Sequence, residues 1–324
     1  MRVLVTGGSG FIGTNLIEYF SGRGDEVTNF DIVAPRNKAQ GRYWRKVDLL
    51  DAQSLLEAMH QVKPEVVFHM GARTDLDGTS LSDYRANTDG VENLIVAMQG
   101  VKTIRRVVFA SSRLVCQIGY QPKSELDYCP STPYGASKVL GEQIVRSATD
   151  RINCPWVIVR PTSIWGPWFE VPYKTFFLSI AKARYVHPGN AQILKSFGFV
   201  GNVIYELQAL VTANGEKVHG KTLYLSDYQP IDVAQMANSI QRELGVREIR
   251  SVNVSLLRVA AWVGDCLKLL GWRAPPLTTF RLNNLLTPMV HDLRPLEEIV
   301  GELPYSMDEG IKITADWMRE HQEI

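Results

Sequence analysis

The chain has 324 residues, 45% of them hydrophobic and 21% charged, with a formal net charge of +1. That length can bury a large core, and the near-neutral balance excludes the basic face a nucleic-acid partner demands. Four cysteines without Cys-x-x-Cys spacing and six scattered histidines argue against a metal site and for reduced thiols in a cytoplasmic protein.

Val3, Leu4 and Val5 form an unbroken apolar run, the pattern of a strand buried on both faces of a parallel sheet. This strand, 2–6, leaves no room for a signal peptide ahead of it. It runs into Gly7-Gly8-Ser9-Gly10-Phe11-Ile12-Gly13, after which Phe11, Ile12, Leu16, Ile17 and Phe20 recur at helical spacing until Gly22 and Gly24. Glycines between strand and helix let the backbone turn tightly and approach a pyrophosphate, whose charge then meets the free amides of the helix. Gly7, Gly10, Phe11, Ile12 and Gly13 are therefore cofactor candidates. The next strand, 26–30, ends in Asp31, about 20 residues past the turn, where an acid accepts hydrogen bonds from the adenosine ribose and repels a ribose phosphate. NAD is favoured over NADP, with Arg36 able to offset the repulsion if its loop folds back.

Further strands at 43–48, 66–70, 106–111 and 156–160 alternate with helical patterns, which predicts an α/β, Rossmann-type doubly wound parallel sheet. Ser111 and Ser112 close one of these strands at the carboxyl edge, where such sheets place their sites. Tyr134 and Lys138, four apart, share one face of a helix that continues over 136–146. A phenol ionises near pH 10, so it is a poor base at neutral pH unless a cation favours the phenolate. Lys138 is the expected cation, Tyr134 the acid/base and Ser112 the group that holds the substrate oxygen; Lys138 also suits the nicotinamide ribose. After Pro167 the alternation stops. Residues 1–167 read as the dinucleotide domain and 168–324 as a smaller substrate-binding lobe, with 222–226 a strand that can return to the sheet. Trp168, Phe169, Tyr173, Phe176 and Phe177 read as lobe core or as a stack for a nucleobase. The longest apolar stretch, 252–270, is broken by Asn253, Arg258, Asp265 and Lys268, while Val259, Trp262, Val263, Cys266 and Leu270 fit an amphipathic helix, so no membrane partner is expected.

These residues together resemble the extended short-chain dehydrogenases/reductases, in particular their NAD-dependent epimerase/dehydratase group, over nearly the whole chain. Thr6 to Gly13 is similar to that family's Thr-Gly-Gly-x-Gly-Phe-Ile-Gly turn, Asp48-Leu49 to its adenine-contacting pair, and His69-Met70-Gly71-Ala72 to its His-x-Ala-Ala strand end. Asn87 to Leu94 looks like its Asn-x-x-Gly-x-x-Asn-Leu helix, Pro133 to Lys138 like its catalytic helix, and Arg160-Pro161 with Ile164 to Pro167 like its crossing between domains. Gly310 to Trp317 looks like its closing helix. The resemblance implies cofactor contacts at Asp48, Leu49, Met70, Gly71, Ala72, Ser111 and Pro161 besides Tyr134 and Lys138, and a homodimer through helices near 87–100 and 134–151.

Departures from the family narrow the reaction. Arg113 and Leu114 stand where members that remove water carry an Asp-Glu pair, which disfavours a 4,6-dehydratase. Lys195 to Val203 fills the slot of the sugar epimerases' Arg-Asp-Tyr-x-His-Val-x-Asp but ends like the 3β-hydroxysteroid dehydrogenase branch. For a UDP-, GDP- or CDP-linked sugar the resemblance implies Lys195 and Arg281 at the diphosphate, with Thr74, Ser112 and Ser163 as further substrate contacts. The leading expectation is an NAD-dependent nucleotide-sugar 4-epimerase: Tyr134 removes the C4 hydroxyl proton, hydride leaves C4, and it returns to the other face of the 4-keto sugar. The same residues serve a 4-ketoreductase or a 3β-hydroxysteroid-type dehydrogenase, and a dinucleotide sensor without catalysis is the remaining alternative.

Overall fold

The computed structural model describes residues 1–272 and 277–324. Its apolar runs become seven strands: β1 (Arg2–Thr6), β2 (Glu26–Asp31), β3 (Trp44–Lys46), β4 (Val66–His69), β5 (Arg106–Ala110), β6 (Trp156–Pro161) and β7 (Thr222–Leu225). They form one sheet in the order β7-β6-β5-β4-β1-β2-β3, every neighbouring pair parallel. Val3, Leu4, Val5, Val67, Val107 and Val157 are wholly enclosed, as strands buried on both faces require. The strand order reverses between β1 and β4, which opens a crevice at their carboxyl ends. β3 is shorter than its apolar pattern because Asp48 turns its carboxylate onto the Leu50 amide (2.9 Å) and ends the pairing.

Between the strands run α1 (Phe11–Gly22), α2 (Ala52–Val62), α3 (Asp89–Met98) and α4 (Pro133–Ser147). The last starts at Pro133, ahead of the helical pattern, because Thr132 caps the Gly135 amide (3.0 Å) and a proline suits the first turn. The chain forms two compact units. The first comprises Met1–Ile164, Gly198–Tyr228 and Asp292–Tyr305; the second Trp165–Phe197, Gln229–His291 and Ser306–Ile324. The units show an interleaving along the chain. Its physical reason is the exposed edge of β6, which β7 covers through the register Thr222↔Ile158 to Leu225↔Pro161. In the second unit Phe169 and Phe177 are buried edge-to-face with ring centroids 5.3 Å apart, so these two aromatics are core.

The helix Val200–Thr212 carries the unusual charges of the first unit. Asp227 accepts from the Phe199 amide (3.2 Å) and from Asn202 Nδ2 (2.8 Å) at the start of that helix. Burial pushes its pKa up to about 7, against the hydrogen bonds from Asn202 and Phe199. One turn further, Glu206 is fully enclosed, and burial and then Asp227 push its pKa well up against a hydrogen bond from the Ser226 backbone. Both groups hold protons in the fold at pH values where the unfolded chain has lost them, so stability declines as pH rises from about 4, and Asp227's share of that decline is complete by about 7. Asp227→Asn is expected to remove about 4 kcal/mol of that decline, read as a flatter dependence of urea-unfolding free energy on pH. An unchanged pH profile in the variant would contradict a protonated Asp227.

Candidate active site

The reversal of strand order places the glycine turn against the end of β4. Gly7 has φ +69°, and a Cβ on it would lie 2.6 Å from the Gly71 Cα and amide nitrogen, so only glycine fits this backbone contact. A Cβ on Gly13 would stand 2.3 Å from the Gly7 carbonyl oxygen. The turn is closed by the Gly10 amide donating to Gly7 O (3.0 Å), and Thr14 N donates to Gly10 O (2.8 Å). Gly10 offers α1 no side-chain cap and the first turn, which begins with Phe11 and Ile12, holds no acid, so the positive end of the helix is left for an anion. Below the turn, Gly71 N donates to Thr6 Oγ1 (3.2 Å), which in turn lies 2.7 Å from His69 Nδ1. Burial, and then the Lys138 charge, hold His69 down to about 3, so its ring is neutral and shares a single proton between its two nitrogens.

Asp31 reaches the same turn, its two oxygens accepting from Ser9 N (3.0 Å) and Val33 N (3.1 Å). Arg36 does fold back: its Nε donates to Ser9 O (3.0 Å). Leu49 is buried against Gly71, while Asp48 is exposed. Met70 and Ala72 flank Gly71, half-buried at the mouth of the crevice, and Pro161 closes β6 two strands away.

At the end of β5, Ser111 is buried and its hydroxyl meets no hydrogen-bond partner. Ser112 caps the short turn Arg113–Val115, accepting from Leu114 N (3.1 Å). That turn packs on the first turn of α4 so closely that a Cβ on Gly135 would stand 2.2 Å from Leu114 O. Tyr134 is thereby held beside Ser112. Burial raises the tyrosine pKa; the Ser112 hydrogen bond and then the Arg113 charge oppose it. Lys138 follows one turn later on the same helix. Its ammonium donates to Ala110 O (2.9 Å), under the end of β5, and burial lowers it to about 8 against the charge of Glu142. Arg113 thus acts on Tyr134 from the β5 turn and Lys138 approaches the end of β5 from α4.

The model for "NAD dependent epimerase/dehydratase family" matches residues 3–216. The chain belongs to that family. It is an NAD-dependent enzyme of the extended short-chain dehydrogenase/reductase type. Among relatives, a 2-alkyl-3-oxoalkanoate reductase of Stenotrophomonas maltophilia is 29% identical over 96% of this chain and 98% of its own. An N-acetyl-α-D-glucosaminyl-diphospho-ditrans,octacis-undecaprenol 4-epimerase of Escherichia coli O157:H7 is 25% identical over 98% of this chain and 95% of its own. The structure of a UDP-glucuronic acid 4-epimerase from Bacillus cereus in complex with NAD aligns over 99% of both chains with a TM-score of 0.75 at 15% identity, a likeness of fold.

The first unit fits the family's dinucleotide: it offers a glycine cradle that any Cβ would fill, an uncapped helix end and the unsatisfied Ser111 hydroxyl. The substrate candidates are more scattered. Thr74 is exposed and Ser163 buried in the first unit, whereas Lys195 and Arg281 belong to the second. Lys195 is buried with its ammonium on Asn284 O (2.6 Å), and Arg281 is exposed on the helix Thr279–Leu286. Two family-site neighbours escaped sequence reasoning. Tyr84, wholly buried, sets its ring 5.9 Å from that of Tyr134 and donates to Asp75 O (2.8 Å). Asn87 donates to Ser137 Oγ (2.9 Å) and accepts from Arg73 N (2.9 Å), tying the β4 loop to α4; the Asn-x-x-Gly motif was its only signal. Gly13→Ala is expected to displace the Gly7–Gly10 turn and weaken NAD at least about tenfold in a fluorescence titration, while Gly22→Ala, whose Cβ meets nothing within 4 Å, leaves the affinity unchanged.

Proposed function

We propose that the enzyme epimerises C4 of a diphosphate-linked sugar. The observation that carries the chemistry is Tyr134 hydrogen-bonded to Ser112 at the carboxyl end of β5. Gly7, Gly10, Gly13 and the start of α1 hold the cofactor's pyrophosphate, with Asp31 toward the adenosine ribose and Lys138 toward the nicotinamide ribose. Bound NAD supplies the hydride acceptor and donor. Buried Tyr134 rests as the neutral phenol, so it gives a proton to a ketone oxygen directly and takes one from a hydroxyl when Ser112 and Arg113 stabilise the phenolate. Ser112 orients the oxygen, and Arg113 in place of a dehydratase acid leaves no group on that turn to protonate a departing hydroxyl. The E. coli relative, a 4-epimerase of a lipid-linked sugar over nearly the full length, supports this reading.

A second reading, a net reductase of a 3-oxo compound, is favoured by the S. maltophilia relative. Isotope fate separates the two. With a sugar deuterated at C4, epimerisation keeps the label in the product without added cofactor; a net reductase shows no turnover until NADH or NADPH is supplied. Label retained in the inverted sugar is the expected result, and reduction of 2-alkyl-3-oxoalkanoates with no sugar turnover would replace epimerisation by the second reading.

Tyr134→Phe is expected to lower kcat at least about 10³-fold with NAD still bound, measured by turnover and by cofactor titration. Since Lys138 is held to about 8, its ammonium is present below that pH and lost above it. Turnover should therefore fall as pH rises through about 8; a profile flat well into the alkaline range would remove the lysine's charge from the mechanism.

A further inference from the structure

Between the β5 turn and α4 the chain makes an excursion whose two ends meet. Gln117 N donates to Cys129 O (2.7 Å) and Cys129 N donates to Val115 O (3.0 Å), so Cys116 and Cys129 face each other as partners of an isolated parallel bridge. The segment between them folds on Asp127, whose carboxylate accepts from Tyr120 Oη (2.9 and 3.0 Å) and from Lys123 N (2.8 Å). Glu125 O, accepting from Arg160 (2.7 Å), ties the same segment to β6. The result is a compact loop closed at its neck, with one cysteine on each side of the neck.

The neck has the dimensions of a cross-link. Paired strands stand about 4.7–4.9 Å apart, inside the Cα separation of about 4.4–6.8 Å that a disulfide spans. The Cys116 sulfur lies toward its partner: it donates to Asp127 O (3.3 Å), two residues before Cys129, and burial raises its pKa against a hydrogen bond from the Cys129 backbone. Both residues are free thiols, Cys116 buried and Cys129 half-buried. An oxidant from solvent therefore meets Cys129 first and leaves Cys116 as the second sulfur.

We propose that Cys116 and Cys129 form a reversible disulfide on exposure to hydrogen peroxide and thereby clasp the β5 turn to the entry of α4. In the first step the Cys129 sulfur takes one peroxide oxygen: an S–O bond forms, the O–O bond breaks and water leaves. The Cys116 sulfur then attacks the Cys129 sulfur, forming the S–S bond and breaking the S–O bond, and the thiol proton leaves with the oxygen as a second water. Two thiols lose two electrons to one peroxide, and a dithiol reverses the step by exchange. Cys116 directly follows the turn Arg113–Val115 that Ser112 caps, and Cys129 lies just ahead of Thr132 and Pro133, where α4 begins. The bond thus joins the two elements that carry Ser112 and Tyr134. The reduced thiols expected from the cysteine spacing are the resting state, to which this adds an oxidised one.

The test is peptide mapping by mass spectrometry of the native full chain, with free thiols alkylated after hydrogen peroxide and again after subsequent dithiothreitol. A Cys116–Cys129 linked pair that disappears on reduction is the expected main product. Cys154, whose thiol burial pushes up to about 11, and Cys266, on the helix Val254–Leu269, serve as internal controls and should remain alkylatable. Cys116→Ser should leave Cys129 as a sulfenic acid or its glutathione adduct, and Cys129→Ser should slow loss of the Cys116 thiol at least about tenfold. NAD affinity and the thermal melt of the reduced variants check that they fold. Hydrogen exchange over 114–116 and 129–135 should slow at least about threefold in the oxidised protein and recover on reduction. Exchange that does not respond removes the clasp. Thiols that all stay alkylatable under peroxide that oxidises free glutathione overturn the proposal. So does Cys129 passing to a sulfinic acid beside an unreacted Cys116, or a linked pair that forms only in urea.

Discussion

The placement of α4 depends on an ion pair with no access to water. Arg160 on β6 and Glu142 on α4 are each 1% exposed and meet through two bonds, Nε to Oε1 and Nη2 to Oε2, both 2.8 Å. Desolvating two charges is expensive, and such a pair survives only when every remaining valence is used. Here Arg160 also donates to Glu125 O (2.7 Å) and Tyr224 Oη (3.3 Å), and Tyr128 donates its hydroxyl to Glu142 (2.9 Å). Burial works against the guanidinium, yet the Glu142 hydrogen bonds outweigh it and raise its pKa. Tyr134, Lys138 and Glu142 are four apart and share one face of α4, so the pair that fixes Glu142 fixes the rotation of the two residues upstream. The pair thus orients the face of α4 that carries the candidate site residues.

That constraint also sets the electrostatics. A charge at Glu142 opposes the effect of burial on Lys138, and Lys138 in turn helps keep His69 neutral. Neutral His69 is hydrogen-bonded to Thr6, whose oxygen receives the Gly71 amide at the point where the glycine turn presses on β4. The chain of contacts runs from α4 through the sheet to the cofactor cradle without leaving the interior. Tyr134 lies outside it, beside Ser112 and Arg113 on the β5 turn, so the proposed acid/base and the ammonium under the sheet are supported by different elements.

Features of the sequence that depend on near neighbours were legible. The glycine turn, Asp31 at the end of the second strand, and the strand ends at Ser111 and Ser112 each declare themselves within a few residues, because strand, turn and helix patterns are local. What depended on distant partners was not. The hydrogen bond of the Lys138 ammonium to Ala110 O joins residues 28 apart in the chain. Tyr84 packs on Tyr134 across 50 residues of sequence, with no pattern to announce it. The second unit begins before residue 167 and the first resumes at Gly198, because an open sheet edge must be covered by whichever later strand fits it. The hydrogen bond of the Lys195 ammonium to Asn284 O, 89 residues away within the second unit, is likewise without a local signal.

The helix Val254–Leu269 shows the same limit from the other side. A period of 3.6 says that a helix has an apolar stripe; it does not say what the stripe meets. In an ordinary surface helix the stripe faces the core and charges face water. Here the enclosed side is built of Ala261 and Gly264, small residues that let the helix lie close to its own unit, and the bulky side chains point away. Small-in and large-out is the inverse of core packing, which needs volume on the buried side. Such a helix gains little from burying its bulky side chains on its own unit. The spacing that announced the stripe therefore carried no information on which side of the helix the unit would enclose, because that depends on how closely the small face of Ala261 and Gly264 can approach its neighbours.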